Sequence, residues 1–299
     1  KTEQRRQASI NLDELSSYEI VSLMNDHNAE IPAVLDEAKH QIALAVDIAR
    51  DAIAQSGRII YCGAGTSGRL GVLDAVECPP TFSSRPDQVI GLIAGGDSAM
   101  YKAVEGAEDN AELGAQDLQR LNISSRDCVV GIAASGRTPY VIGALEYAQS
   151  VNAATVAVSN NPHAKISQLA DVSIVANVGP EVLTGSTRLA AGTAQKMILN
   201  MITTGAFVQN GKCFENLMVD VSVTNHKLHK RALNIIKQAA QVGESQAEQA
   251  LVKANKNVKL AILMLKSELQ FEEAVAKLQV HNDNLRIALR HLALSASEN

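Results

Sequence analysis

Apolar residues follow two different spacings along this chain. From Asn28 to Ser56 they recur at helical intervals, and the same spacing returns from Arg188 to Val208. Between these stretches lie short continuous apolar runs bounded by Gly, Ser, Asn or Pro: RIIYC (58–62), QVIGLIA (88–94), DCVVGIA (127–133), AATVAVS (153–159) and DVSIVAN (171–177). Continuous apolar strands that alternate with helices indicate a parallel sheet covered on both faces. The pattern predicts an α/β fold with a doubly wound, five-stranded parallel sheet.

The two ends of the chain are predicted to be helical. A short helix near Ser17–Met24 is expected in a polar N-terminal arm, residues 1–28, which precedes an α/β domain at 29–222. In the helix near the end of that domain, Met197, Met201 and Phe207 are expected to form the apolar face. The rest, 223–299, is expected to be a small helical appendage with helices at Ala232–Gln241, Gln246–Ala254, Val258–Leu269, Phe271–Leu278 and Asn284–Leu292.

Composition argues against several classes of protein. Of the 299 residues, 46% are hydrophobic and 20% charged, so the chain can form a large core and is not expected to be disordered. Aromatic residues make up only 3% and the net charge is -5, which argues against binding to nucleic acid or to an anionic membrane. No apolar run approaches the length of a membrane span.

The cysteine positions indicate a reducing compartment, and the histidine positions argue against a metal site. The four cysteines show neither a disulfide framework nor a metal-binding spacing, and His226 and His229 lack a further ligand nearby in sequence. The polar first residues do not resemble a signal peptide. We therefore expect a cytoplasmic protein without a metal site.

Gly-, Ser- and Thr-rich loops follow three of the predicted strands, at Gly63–Arg69, Ala134–Thr138 and Gly179–Arg188. Ligands of open parallel sheets bind at the carboxyl ends of the strands, where free amides, hydroxyls and a helix N-terminus can hold a phosphate. One such loop is more often only a turn. Two of them, each with an Arg and a following helix, favour a phosphate site. The candidate ligand-binding residues are Gly65, Thr66, Ser67, Gly68, Ser135, Gly136, Arg137, Thr138, Glu181, Ser186 and Thr187.

The first loop also fits a different ligand. Gly63, Gly65 and Gly68 match the G-x-G-x-x-G dinucleotide fingerprint, and Asp97 could be the acid that binds the ribose. However, the hydroxyls of Thr66 and Ser67 suit a terminal phosphate better than a pyrophosphate. A dinucleotide would also leave the second loop without a role, so a nicotinamide-dependent oxidoreductase is the weaker interpretation.

Glu77 is one candidate for acid–base chemistry. It lies near the end of the helix that follows the first loop, and the pair Pro79-Pro80 is expected to end that helix. Burial of one helix face is expected to keep Glu77 off a solvated surface; that face comprises Leu70, Leu73 and Val76.

Three further acids, Glu105, Glu108 and Asp109, follow the second predicted strand. Glu105 and Glu108 could share a helical face, with Asp109 pointing elsewhere. At least one of the three is expected to be a solvated surface charge, and the pattern alone does not decide which acid is catalytic.

Five motifs make the chain recognisable: GAGTSGRLG (63–71), ECPPTF (77–82), VEGAED (104–109), GIAASGRTP (131–139) and GPEVLTGSTR (179–188), with shorter matches at 2–3, 12–13, 193–196 and 215–220. In these motifs the chain resembles the N-acetylmuramic acid 6-phosphate etherase family, whose members contain a sugar isomerase (SIS) domain. Single SIS loops also occur in isomerases, transcription regulators and the glucokinase regulatory protein. The combination of ECPPTF with VEGAED favours the etherase.

The resemblance implies a carbon–oxygen lyase. Such an enzyme removes the D-lactyl ether from C3 of N-acetylmuramate 6-phosphate by β-elimination and hydration, giving N-acetylglucosamine 6-phosphate and D-lactate in peptidoglycan recycling. By motif position the proton donor is Glu77 and the second active-site acid is Glu108. Which glutamate handles which proton in each half-reaction is left open.

The resemblance also implies that no cofactor is needed and that the protein is a homodimer. We expect the two copies to pair through residues 70–76 and 141–148. The 6-phosphate is expected to bind to loop amides and to the hydroxyls of Ser67, Ser135 and Thr138.

The main alternative is a non-catalytic sugar-phosphate sensor similar to the glucokinase regulatory protein. Such a protein could keep the phosphate loops and lose the acids, but Glu77 and Glu108 are both present, and the chain is too short for a regulator with two SIS units. A DNA-binding SIS regulator would need a basic helix-turn-helix, which residues 1–56 do not contain. The etherase is therefore the leading hypothesis.

Overall fold

The computed structural model describes residues 2–221, 223 and 225–297. These residues divide into two compact units. The first contains the described residues up to Val76 together with Pro86–Ala206, and the second contains Glu77–Arg85 together with the described residues from Phe207 onward.

The first unit is built on a five-stranded sheet in the order β2-β1-β3-β4-β5. The strands are β1 Ile59–Gly63, β2 Val89–Ile93, β3 Cys128–Ala133, β4 Ala154–Ser159 and β5 Val172–Val175. All neighbouring strands pair in parallel. Each predicted apolar run forms one strand, so the doubly wound parallel sheet is confirmed. Every residue of β1 and β3 is buried, which explains why their apolar runs are continuous.

Six helices and four short 3-10 turns accompany the sheet. The helices are α1 Ser17–Ala29, α2 Ile31–Ala54, α3 Gly65–Phe82, α4 Ala111–Arg120, α5 Pro139–Ser150 and α6 Ala190–Gln209. The 3-10 turns are Gln7–Ser9, Leu12–Glu14, Asp97–Met100 and Lys165–Leu169. Helix α1 begins with a capping box in which Ser16 and Glu19 each satisfy the other's backbone N–H, so it starts where the sequence places it.

Helix α6 buries a different face from the expected one. Phe207 is buried, but Met201 is 41% exposed and Met197 is half-buried. The inward face is formed by smaller or branched side chains, Ala191, Ala194, Ile198, Leu199 and Ile202. Small residues are needed because the helix approaches α2 closely: a Cβ atom on Gly205 would lie 2.7 Å from Cγ1 of Val46.

Helix α3 continues through Pro79 and Pro80 to Phe82, so the expectation that the prolines end it was wrong. Beyond the prolines, the ring of Phe82 stacks on Phe207 with 4.6 Å between centroids, and the Ser83 hydroxyl donates to the backbone carbonyl of Asp220. These contacts explain why Glu77–Arg85 belongs to the second unit.

The predicted boundary between 222 and 223 stays a prediction, because residue 222 lies outside the described part of the chain.

Helices α4 and α5 cross with their backbones in contact. A Cβ atom on Gly114 would lie 2.0 Å from the carbonyl oxygen of Tyr140, and one on Gly143 would lie 1.9 Å from that of Ala111. The apolar side chains of α5 are buried, namely Val141, Ile142, Ala144, Leu145 and Ala148. Residues 141–148 therefore present no apolar face to a second copy, and that part of the pairing prediction was wrong.

The second unit contains all five of the helices predicted for the tail. They are α7 His226–Ala240, α8 Glu244–Lys253, α9 Val258–Ser267, α10 Phe271–Val280 and α11 Leu285–Ser297. Its core includes one charged side chain, Lys259, whose Nζ lies 2.8 Å from a carboxylate oxygen of Asp220 and 2.6 Å from one of Asp283. No helix in the described ranges is both long and apolar enough to cross a membrane.

Candidate active site

The first two candidate loops leave the same edge of the sheet. Strands β1 and β3 are neighbours although β2 lies between them in sequence. Gly63, the last residue of β1, pairs with Ile132 near the end of β3. The chain therefore reverses its direction of winding between these strands, and such a switch point is where open α/β sheets bind ligands.

The first loop turns directly into helix α3. Gly65 begins the helix with a φ of +52°, a conformation that favours glycine. A Cβ atom on Gly63 would lie 2.6 Å from the amide nitrogen of Gly68, so strand and helix approach too closely for a side chain there. Thr66, Ser67 and Gly68 occupy the first turn, where the helix dipole is positive. The amide of Gly68 donates to the carbonyl of Ala64 (3.2 Å), so the amides ahead of it are the ones without a helical acceptor. This turn is suited to an anion.

Arg69 follows these residues, but its guanidinium has another function. It donates to the carbonyl oxygens of Ala99 (2.8 Å) and Met100 (3.1 Å). Arg69 therefore holds the turn after β2 in place, and the anion-binding capacity of the first loop comes from its amides and hydroxyls.

Ser67 belongs to a buried hydrogen-bond chain that we did not predict. Its hydroxyl donates to Oε1 of Gln195 (2.8 Å), Nε2 of Gln195 donates to Oδ1 of Asn160 (3.0 Å), and Nδ2 of Asn160 donates to the carbonyl of Ala176 (2.9 Å). Two signals could have indicated these residues. Asn160 directly follows β4 at the ligand-binding edge, and Gln195 lies in the motif match at 193–196.

The second loop is shaped by Gly136, which has a φ of +69°. A Cβ atom at this position would lie 2.1 Å from Cβ of Ala164. The side chain of Asn161 donates to the carbonyl of Ser135 (3.2 Å), and the Ser135 hydroxyl accepts from the amide of Arg137 (3.3 Å). These contacts fix the loop and leave the Arg137 side chain exposed.

Thr138 ends the second loop at the N-terminus of α5. Its side chain makes no capping hydrogen bond to the helix. The hydroxyl therefore has no task within the first turn of α5, which is compatible with its predicted role as a phosphate ligand.

The acidic segment 104–109 forms turns, so the expected helical face shared by Glu105 and Glu108 was wrong. Gly106, with a φ of +74°, interrupts any helix between them. The carbonyl of Glu108 accepts from the amide of Tyr140 (3.0 Å), two residues beyond Thr138. The structure therefore brings Glu108 to the second loop, and the side chains of both glutamates are exposed.

Glu77 is exposed on α3, and the expected burial beside it was wrong. Leu73 and Val76 are 50% and 58% exposed. The inward face instead carries Asp74, whose carboxylate accepts from the hydroxyl of Tyr61 (2.7 Å) and from Nδ2 of Asn200 (2.7 Å). The apolar pattern predicted that Leu73 and Val76 face inward, but the inward face of α3 carries Asp74, whose carboxylate is buried and hydrogen-bonded.

In the third loop, Glu181 supports the backbone. It is 1% exposed, and its two oxygens accept from the amides of Ala190 (3.0 Å) and Ala191 (2.9 Å) at the start of α6. His27 lies beside it, with Nδ1 at 3.9 Å from the carboxylate and Nε2 at 2.8 Å from the carbonyl of Val178. The carboxylate therefore occupies the helix N-terminus that an anion would otherwise use, and a ligand contact of Glu181 stays a prediction.

Ser186 and Thr187, further along this loop, are half-buried. The Cβ position of Gly192 lies 3.4 Å both from the carbonyl of Thr187 and from Cγ2 of Thr66. This part of the third loop therefore lies against the first loop.

Two of the buried thiols, those of Cys62 and Cys128, are not suited to act as nucleophiles. Burial, together with nearby Asp171 and Asp127, raises the pKa of Cys128 to about 12. Burial and then Asp117 likewise raise the pKa of Cys62. Both cysteines stay protonated at neutral pH, so the exposed carboxyl groups are the better candidates for chemistry.

The chain is similar to family models and to complete proteins. Residues 41–149 match the N-terminal SIS domain of glucokinase regulatory protein, 101–205 the SIS domain, and 215–259 the C-terminal lid domain of glucokinase regulatory protein. An N-acetylmuramic acid 6-phosphate etherase of Aliivibrio fischeri (strain MJ11) is 52% identical over 288 residues, which is 96% of each chain. The chain belongs to the N-acetylmuramic acid 6-phosphate etherase family.

A second etherase agrees with this assignment, and one solved structure agrees with the fold. The etherase of Lactobacillus acidophilus (strain ATCC 700396 / NCK56 / N2 / NCFM) is 51% identical over 97% of each chain. A phosphoheptose isomerase structure from Francisella tularensis aligns with a TM-score of 0.53 at 16% identity, covering 65% of this chain and 100% of that one. The isomerase supports the SIS fold, and the etherases show the family.

Proposed function

We propose that this protein cleaves the D-lactyl ether of N-acetylmuramate 6-phosphate, yielding N-acetylglucosamine 6-phosphate and D-lactate. The observation that carries this proposal is the identity of about half of all residues, over nearly the whole length, to proteins named as etherases. Phosphate-type loops at the switch point of the sheet, with Glu108 beside one of them, support the same conclusion.

The proposed reaction is a β-elimination followed by hydration. In the open-chain form of the sugar, the aldehyde at C1 acidifies the C2 proton, so a carboxylate can remove it. The electron pair of the C2–H bond forms the C2–C3 double bond, the C3–O bond breaks, and a general acid protonates the departing lactate oxygen. Water then adds its proton to C2 and its hydroxyl to C3, which makes the enzyme a carbon–oxygen lyase.

Two glutamates can supply these proton transfers without a metal or cofactor. Following the family motifs, we assign the proton donor to Glu77 and the second active-site acid to Glu108. An ether oxygen is a poor leaving group, so the acid is expected to matter most for release of lactate.

We infer that the 6-phosphate binds at the first two loops. The amides of Gly65, Thr66 and Ser67 in the first turn of α3 are suited to its charge, whereas the amide of Gly68 already donates to the carbonyl of Ala64. Hydroxyls and amides of the second loop, above all those of Thr138, complete the cradle. Arg137, Ser186 and Thr187 remain candidates for further contacts with the sugar or the phosphate.

We further infer a homodimer that acts in the cytoplasm during recycling of peptidoglycan amino sugars. The half-exposed side chains of Leu73 and Val76 on α3 support pairing through residues 70–76. Sedimentation of the protein at micromolar concentration tests this: a fully active monomer would contradict it.

Incubation of the purified protein with N-acetylmuramate 6-phosphate, followed by an enzymatic assay for D-lactate, tests the proposed function. Unphosphorylated N-acetylmuramate is the matched control, because it lacks the group that the loops are expected to bind. Lactate should be released from the phosphorylated sugar only. Binding of the sugar phosphate without any turnover would instead favour the sensor, which the full-length etherase relatives do not favour.

A further inference from the structure

The hydrogen-bond chain behind Ser67 has a direction that its far end determines. Nδ2 of Asn160 lies 2.9 Å from the carbonyl oxygen of Ala176. A backbone carbonyl can only accept, so Asn160 must present its amide nitrogen to Ala176 and its oxygen to Gln195. Asn160 and Gln195 are each about 1% exposed, so neither amide can turn to solvent for a replacement partner.

The direction is then passed on to Ser67. Since Oδ1 of Asn160 accepts, the group of Gln195 that faces it at 3.0 Å must be the donor Nε2. This orientation places Oε1 of Gln195 at 2.8 Å from the hydroxyl of Ser67. A carbonyl oxygen accepts only, so the single proton of the Ser67 hydroxyl is committed to Gln195, and only lone pairs remain for a ligand.

A dianionic phosphate needs donors, so this arrangement does not suit Ser67 as a phosphate ligand. For Ser67 to donate to phosphate, its proton would have to leave Gln195, whose buried carbonyl would then lose its partner. That loss offsets most of what a new hydrogen bond to phosphate would contribute. A hydroxyl or amide N–H of the sugar, in contrast, can donate to Ser67 without disturbing the chain.

We propose that Gln195 is a positioning residue that takes the Ser67 proton and presents the Ser67 oxygen as an acceptor for a donor group of the amino sugar. The phosphate is then bound by the loop amides and by other hydroxyls. This inference rests on the proposed function, because it assumes that an amino-sugar phosphate occupies the loops. It replaces the expectation that the Ser67 hydroxyl holds the 6-phosphate.

Binding of two ligands to the same variants tests the proposal: N-acetylglucosamine 6-phosphate and inorganic phosphate, both by calorimetry. Ser67→Ala should lower the affinity for the sugar phosphate about tenfold and should change the affinity for inorganic phosphate by less than about twofold. Gln195→Met, which removes the amide at similar volume, should also weaken the sugar phosphate. Its affinity for inorganic phosphate should stay the same or rise, because the Ser67 proton is then free to donate.

The ratio of the two affinities distinguishes positioning from general damage to the fold. Thr193→Val, two residues away on an exposed face of α6, is the matched control and should leave the ratio unchanged. In the double variant Ser67→Ala/Gln195→Met the ratio should equal that of Ser67→Ala alone, because Gln195 acts through Ser67. If Gln195→Met does not fold, Ser67→Ala still decides the question.

If Ser67→Ala lowers the affinity for both ligands equally while the wild-type protein binds both normally, this inference is overturned and the proposed function is not affected. A wild-type protein that binds neither ligand and releases no lactate would instead contradict the proposed function.

Discussion

Replacing Glu181 with Ala should destabilise the first unit, because the Glu181 carboxylate supports the backbone at the start of α6. The carboxylate accepts hydrogen bonds of 3.0 and 2.9 Å from the amides of Ala190 and Ala191. Ala has no acceptor, so both amides would be left without a partner at the buried start of α6. Glu181 is only 1% exposed, so water cannot easily reach these two amides and replace the carboxylate.

The magnitude follows from those two bonds. An unsatisfied buried donor costs about 1–3 kcal/mol, and loss of a helix N-cap costs about 0.5–2 kcal/mol. A loss of about 3 kcal/mol is therefore expected for Glu181→Ala. Glu181→Gln retains one acceptor at the same length, so about half of that loss is expected.

Equilibrium unfolding in urea measures the loss, and hydrogen exchange at the amides of Ala190 and Ala191 locates it. Both amides should exchange faster in Glu181→Ala. Glu19→Ala is the matched control, since Glu19 accepts from the backbone of Ser16 at an exposed helix start and should cause a clearly smaller loss. Unchanged stability with a loss of affinity for N-acetylglucosamine 6-phosphate would refute this reasoning and make Glu181 a ligand contact.

Three other predictions concern the acids, the second loop and an ion pair. Glu77→Gln and Glu108→Gln should each lower turnover by about a hundred- to ten-thousand-fold. Glu77→Gln should keep C2 hydrogen exchange in deuterated water and lose lactate release. The turnover of Glu105→Gln should stay within a few-fold of wild type. If Glu105 proved essential and Glu108 dispensable, the assignment would be contradicted. Gly136→Ala should destabilise the protein much more than Gly179→Ala in thermal unfolding, since both have positive φ but only Gly136 has a neighbour, Ala164, within 4 Å of the added Cβ; equal shifts would contradict this. Burial alone would raise the pKa of Asp127, but hydrogen bonds from Arg58 and Ser124 outweigh it and hold that pKa below its ordinary value. The stabilisation by this pair is thus complete above the unfolded pKa of about 3.9 and is lost as the pH falls through the lower folded value. Asp127→Asn should therefore be less stable near neutrality and show a flatter acid limb in urea titrations from neutral to acidic pH; an unchanged limb would count against the pair.

Hydrophobic spacing was sufficient to predict the sheet, since strands buried on both faces have continuous apolar sequences. The position of the first two loops followed from the same prediction, because parallel strands end at one edge. The inward face of α3 could not be predicted in this way. Asp74 is buried because Tyr61 and Asn200 satisfy its carboxylate, and Asn200 is 126 residues away in sequence.

The same limit applies to the candidate site. Gln195 contacts Ser67 across 128 residues of sequence, so no local pattern could reveal that the serine proton is already in use. The acidic segment was misread for a different reason. Its spacing allowed a helix, but Gly106 adopts a positive φ, and spacing says nothing about backbone conformation.

The crossing of α4 and α5 constrains how the specificity of this site can change. The main chains approach each other directly at Gly114 and Gly143, so at these two points the backbone sets the spacing of the helices and no side chain there can be exchanged to change it. The carbonyl of Glu108 and the amide of Tyr140 are thereby held at a spacing that point mutations cannot adjust gradually. A substrate with a different span between its phosphate and its reacting carbon would have to be accommodated by insertions or deletions in the loops. Laboratory evolution toward such substrates should therefore collect changes in loop length, and few substitutions in these two helices.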